Sequence, residues 1–240
     1  MSAVLDRIER AATADAAFDP AFARDVIEGL AKPQKSIPAT WLYDHRGCEL
    51  FEQITALPEY YPARTEAWIL EHCVAQIAAD AGAGAVVVEL GSGSSRKTPL
   101  LLRALDAPSA YVPIDISEQF LAESVQALQA QFPALAIAPV VADFSKLTAL
   151  PALARGAPGG RRVVFFPGST IGNFMPDDAV GLLDRIGQAV GRGALMVVGA
   201  DATHDPAVLI PAYDDSRWLE RREQHERAGT ADADDKVEAA

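Results

Sequence analysis

From residue 85 onward the apolar positions fall in short unbroken runs, separated by loops and by stretches with helical spacing. Ala85, Val86, Val87, Val88, Glu89 and Leu90 form a β-branched run that stops at Gly91. Such a run predicts a strand buried on both faces, as a parallel sheet requires. Leu100, Leu101 and Leu105 predict a helix over residues 97–105. Residues 110–115 read as a second strand, with Pro113 predicting an irregularity inside it. A helix over 117–131 opens at Ser117, with Glu118 in its first turn. A third strand over 136–141 leads to Asp143-Phe144, and a fourth over 162–166 leads to Pro167-Gly168. Asp177 and Asp178 suit the N-terminus of a helix that runs to about residue 190. A fifth strand over 194–199 leads to Asp201. Strands alternating with helices predict an α/β fold with a parallel sheet and right-handed crossovers. Ligands of such sheets bind beyond the carboxyl ends of the strands. The polar and glycine residues gather there: Glu89, Gly91, Gly93, Asp115, Asp143, residues 168–173 and Asp201.

Before residue 85 the pattern changes. Residues 4–30 and 63–80 have helical spacing, with Leu5, Ile8 and Ala12 on one stripe and Ile69, Cys73 and Ile77 on another. Between them, residues 35–62 are rich in proline and aromatics, including Trp41, Tyr43, Phe51, Tyr60 and Tyr61. The expected organisation is a helical cap over residues 1–84, lying on the strand ends of an α/β domain over 85–215. After Asp215 the chain turns polar: residues 216–240 hold 5 basic and 7 acidic side chains. That composition predicts a solvated helix or disordered tail.

Composition narrows the function. With 240 residues, half of them apolar and 22% charged, the chain can bury a real core. No run approaches the roughly 20 apolar residues of a membrane span, and no basic-then-apolar leader opens it. A soluble cytoplasmic protein is expected. The net charge of −12 disfavours nucleic acid and anionic membranes as partners. Two cysteines and four scattered histidines make neither a disulfide framework nor a metal site.

The turn Gly91-Ser92-Gly93-Ser94 directly follows a strand, so its glycines let a ligand approach the backbone closely. Alone it is a weak signal, because any tight strand-to-helix turn can look this way. Residues 91–98 nearly spell a phosphate-binding loop, but Arg96 stands where that loop needs its second glycine. A nucleoside-cofactor turn instead expects an acid at the end of the next strand, to hold ribose hydroxyls. Asp115 stands there, 24 residues after Gly91. Asp143 ends the third strand, where it could accept from an adenine amino group beside Phe144. A dinucleotide remains open, although Arg96 also replaces the third glycine of that fingerprint. The balance favours S-adenosylmethionine. Asn173, in the loop after the fourth strand, is placed to orient a substrate amine.

Several strings resemble one family. They are residues 35–44, residues 47–55, the Pro58-Glu59-Tyr60-Tyr61-Pro62 segment with Arg64-Thr65-Glu66, residues 89–98, Gly168-Ser169-Thr170-Ile171-Gly172-Asn173, and Ala212-Tyr213-Asp214-Asp215. Over about residues 20–215 the chain resembles the histidine-specific S-adenosylmethionine-dependent methyltransferases, the Nα-trimethylating enzymes of ergothioneine synthesis. The resemblance implies a class I, Rossmann-like sheet with an N-terminal helical cap, and residues 85–215 as its cofactor-binding domain. It implies cofactor contacts at Gly91, Gly93, Lys97, Asp115, Asp143 and Phe144. Tyr60 and Asn173 match residues that hold the α-amino group of L-histidine, and Tyr213 matches one that binds its carboxylate. Tyr43 and Phe51 match cap residues that close the site. The implied chemistry is direct methyl transfer to the amine, governed by positioning.

The family continues past residue 215 with further sheet strands and an imidazole-binding block that residues 216–240 do not resemble. Residues 217–230, back-translated and read in an adjacent frame, do resemble what the family has directly after its Ala-Tyr-Asp-Asp string. The expectation is a chain truncated or frame-shifted after Asp215, lacking the last sheet strands and leaving the fifth strand as an apolar edge. Such a chain could keep part of the cofactor site without turnover. A nucleotide hydrolase is the remote alternative.

Overall fold

In the structure, a computed structural model that describes residues 19–147, 149–151 and 160–214, the apolar run Val86–Leu90 forms β1 and every residue of it is buried. It lies at the middle of the sheet, parallel to β2 (Ala110–Asp115) on one side and to β5 (Arg162–Phe166) on the other. Short strands β3 (Ala136–Ile137) and β4 (Val140–Val141) both pair with β2, and β6 (Leu195–Val198) pairs with β5. The order β3-β2-β1-β5-β6, with β4 continuing β3, is the Rossmann-like 3-2-1-4-5 arrangement. Among the described residues β6 has β5 as its one sheet neighbour.

The helices are α1 (Pro20–Ala31), α2 (His45–Thr55), α3 (Tyr61–Ala81), α4 (Thr98–Ala104), α5 (Glu118–Gln131), α6 (Pro176–Val190) and α7 (Pro206–Tyr213). Strand side chains alternate between two cores, as period-two geometry demands. Val87, Tyr111, Val163 and Phe165 face Leu70 and Ala81 of α3, Leu101 of α4 and Leu128 of α5. Val86, Val88, Val112, Val164 and Phe166 face Leu182, Ile186 and Val190 of α6. Each such aliphatic side chain contributes about 1.5–3 kcal/mol by leaving water.

Two expectations need correction. The third strand is not continuous over 136–141: it breaks at Ala138-Pro139. The carbonyls of Tyr111 and Asp115 accept from Ala138 and Ala142, so the alternate residue Pro113 faces this same neighbour. Having no N–H, it cannot support a ladder there, and the neighbour is interrupted opposite it. The stripe on α3 also shifts by one residue. Cys73 and Ile77 do pack on the core, but with Leu70, whereas Ile69 is 51% exposed.

Helices α2 and α7 lie where no helix was marked. Each is opened by an aspartate: Asp44 accepts from the Gly47 N–H at 2.6 Å, and Asp205 from the Ala207 N–H at 2.9 Å. The stripe of Leu5, Ile8 and Ala12 and the charged tail after Asp215 fall outside the described residues. Among the described residues, no helix is long and apolar enough to cross a membrane.

Candidate active site

The chain leaves β1 through glycines in the left-handed region, Gly91 at φ +63° and Gly93 at φ +50°. A side chain at 91 would press on the Phe144 ring, 3.4 Å from its Cε1, whereas one at 93 would meet open space. Asp115, only 7% exposed, shapes this turn from the end of β2. One of its oxygens accepts the Gly93 N–H at 2.9 Å and the other accepts the Ser117 N–H at 3.0 Å. Beneath them lies Glu89, fully buried, accepting from Thr98 Oγ1 at 2.7 Å and from the Tyr111 hydroxyl at 2.6 Å. Burial pushes its carboxyl up to about 7, against those hydrogen bonds and the charge of Lys97. The Ser92 hydroxyl is buried in the turn and has no hydrogen-bond partner among the described residues.

Asp143 follows β4 and opens a short 3-10 turn, Phe144–Lys146. It accepts from the Ser145 N–H and hydroxyl and pairs with Lys146 at 3.0 Å. Burial raises its carboxyl, but these partners together outweigh burial and hold it below the ordinary aspartate value. Phe144 packs edge-on against Phe166 and Phe174. Gly91, Gly93, Asp115 and Phe144 therefore meet around one turn, with Asp143 at its border.

Two carboxylates from the cap fasten this turn, and neither was singled out from the sequence beyond its place in a matched string. Glu52 of α2 accepts from Ser94 Oγ at 2.5 Å and pairs with Arg96 Nε at 2.9 Å. Glu66 of α3 pairs with Lys97 Nζ and accepts the Gly168 N–H after β5. Lys97 and Arg96 are thus each paired with a carboxylate of the cap. A third link runs from the Tyr61 hydroxyl to Asp201 after β6, and this bond is the main cause that lowers the Asp201 carboxyl.

Three rings of the cap and one of α7 form a line. Tyr43 meets Phe51 at 6.2 Å, Phe51 meets Tyr60 at 6.1 Å, and Tyr60 meets Tyr213 at 5.7 Å, all edge to face. Tyr60 is 7% exposed and Tyr213 64%, so the line opens to the surface at Tyr213. Burial, then the neighbouring Tyr213 and Tyr43, push the Tyr60 hydroxyl well above the ordinary tyrosine value. Tyr43 is raised too, by burial, with a hydrogen bond from Asn173 working against it. Asn173 ends the 3-10 turn Thr170–Asn173. A cavity of about 400 Å³ adjoins the glycine turn between α4 and α5, lined by Ser94, Ser95, Arg96, Arg103, Ser124 and Gln131 among others. Among the described residues no group of three or more His, Cys, Asp or Glu side chains could hold a metal ion.

Comparisons with known proteins give the family. The model of the histidine-specific, S-adenosylmethionine-dependent methyltransferases matches residues 22–222, seven residues beyond the expected limit of resemblance. Histidine N-alpha-methyltransferase of Mycobacterium tuberculosis (strain CDC 1551 / Oshkosh) is 42% identical over 199 residues, covering 81% of this chain and 60% of the relative. The protein of the same name from Mycolicibacterium smegmatis is 42% identical over 207 residues, covering 85% and 62%. Ergothioneine biosynthesis protein 1 of Neurospora crassa is 33% identical over 196 residues, covering 75% of this chain and 21% of the relative. The chain thus spans about three fifths of the length of the two bacterial relatives. It belongs to the histidine-specific, S-adenosylmethionine-dependent methyltransferase family.

Proposed function

We propose that the chain carries the cofactor turn and the amine-holding wall of an S-adenosylmethionine-dependent Nα-methyltransferase that acts on L-histidine in ergothioneine synthesis. A cytoplasmic setting fits its acidic composition. The observation that carries the reading is the line of Tyr43, Phe51, Tyr60 and Tyr213, joined to the glycine turn through Glu52 of α2.

The turn fits the cofactor. The Ser92 hydroxyl needs a partner, Gly93 faces open space, and each Asp115 oxygen keeps a second lone pair for a ribose hydroxyl. Gly91 and Phe144 would border the adenine, with Asp143 accepting from its amino group, and Lys97 would bear on the charged end. When bound, S-adenosylmethionine supplies an electrophilic methyl group.

The residues of the chain then act by positioning. Burial raises the Tyr60 hydroxyl above the ordinary tyrosine value, so at neutral pH it serves as a hydrogen-bonding group and not as a phenolate base. Tyr60 oxygen and the Asn173 carbonyl both accept from amine N–H bonds, which aims the nitrogen lone pair away from them. Tyr213, at the exposed end of the line, would meet the substrate carboxylate through its hydroxyl. As the amine gains methyl groups it becomes a bulky cation, and the ring faces of Tyr43, Phe51 and Tyr60 suit that charge.

A second reading follows from the span of about three fifths: a unit that binds cofactor without turnover. Calorimetric titration with S-adenosylhomocysteine and a methyl-transfer assay on L-histidine separate the two. Tyr60→Phe and Asn173→Ala are expected to keep S-adenosylhomocysteine affinity within about threefold, under 1 kcal/mol, while sharply reducing transfer. An equal loss of cofactor affinity would remove both residues from the amine-holding role.

A further inference from the structure

Glu66 sits on the first turns of α3 and joins three loops that the sheet topology delivers separately. Both of its oxygens lie within reach of the Gly168 N–H, at 2.8 and 2.9 Å. Its charge is met by Lys97 Nζ at the end of the glycine turn. The loop after β6 supplies the space: a Cβ at Gly199 would stand 1.7 Å from Glu66 Oε1 and 3.4 Å from the Gly168 nitrogen. Gly168, at φ +84°, begins the segment that ends at Asn173. The same segment is tied to the loop after β6, because Ser169 Oγ accepts the Asp201 N–H at 3.0 Å.

We propose that Glu66 is a positioning residue whose carboxylate sets the Gly168–Asn173 segment against the glycine turn, so that the amine-holding amide and the cofactor-holding turn keep one spacing. The proposal rests on the function assigned above to those two parts. A carboxylate is suited to the task. It accepts a charge-assisted bond from a backbone N–H on one loop while neutralising a cation on another. The lysine in turn makes a partly buried carboxylate tolerable. Gly199 belongs to the device, since any side chain there would evict the carboxylate.

Two variants test this without depending on one chemistry. Glu66→Gln keeps an acceptor but loses the charge that holds Lys97. Gly199→Ala leaves Glu66 chemically intact and displaces it. In the ¹⁵N-labelled full chain, both variants should move the Gly168 amide and the Asn173 side-chain amide signals. Both should also weaken S-adenosylhomocysteine binding by about tenfold or more, the size of one lost charge-assisted bond. The Trp41 indole signal, whose N–H donates to Asp25 in the cap, should stay in place as a control for folding. Asn173 signals that remain at wild-type positions in both folded variants would overturn the proposal. If those signals move but the wild-type chain binds no S-adenosylhomocysteine, the positioning link stands and the assignment of the cofactor falls.

Discussion

Around the end of β1, the groups that shape the site are tied to backbone or to buried partners. Asp115 holds Gly93 and Ser117, Glu66 holds Gly168, and Glu89 accepts from Thr98 and Tyr111. Around Tyr60 the groups meet ring edge to ring face, and the line opens to the surface at Tyr213. The two sides answer to different physics. A carboxylate bound to backbone N–H groups cannot be removed without leaving orphaned donors, whereas an exposed ring in a line of rings can be lost with little cost to folding. The polar side should therefore be fragile in stability, and the exposed end of the aromatic line should be fragile in activity alone.

The largest expected effect is at Asp115. Asp115→Ala leaves the Gly93 and Ser117 N–H groups without their acceptor, at a cost of about 3–5 kcal/mol in denaturant unfolding. Asp115→Asn, which retains one oxygen, should lose roughly half as much. A loss below about 1 kcal/mol for the alanine variant would erase the contrast between the two sides.

Glu89 comes next, and its effect depends on pH. The folded chain holds this proton up to about pH 7, whereas an unfolded chain releases it near 4.5. Unfolding thus releases a proton between those values, and stability falls as pH rises through that window. The shift corresponds to about 3 kcal/mol. Melting temperatures of wild type and Glu89→Gln, followed from pH 4.5 to 8, should diverge across this range, with the variant lacking the decline. Parallel curves would mean that Glu89 titrates alike in the folded and unfolded chain.

The smallest effect is expected at the outer end of the aromatic line. Tyr213→Ala should change stability by no more than about 0.5 kcal/mol, since the ring is mostly exposed. A larger loss would show that the line also supports the fold, and the comparison would need a third term.

Much of the sheet was legible in the chain itself. The runs at 85–90, 110–115 and 162–166 are consecutive and apolar, so no partner is needed to recognise them as doubly buried strands. Asp115, Asn173 and the tyrosines stood out because strand ends and specific strings marked them. Glu52 and Glu66 did not stand out, since a carboxylate on an amphipathic helix looks like a solvated face until its partner is known. Ile69 and Leu70 show the same limit: adjacent apolar residues on a helix do not reveal which one the sheet will cover.

Local order along the chain was enough to determine the α/β alternation, the glycine turn after β1 and the family. What only the tertiary structure decided is how the parts are fastened. The bond from Glu66 to Gly168 spans 102 positions and that from Tyr61 to Asp201 spans 140. Periodicity reports neighbours within a turn or two of chain, so contacts of that length arise only when helices are laid over a sheet. The interruption of the third strand has the same origin, because the missing N–H of Pro113 matters only to the strand beside it.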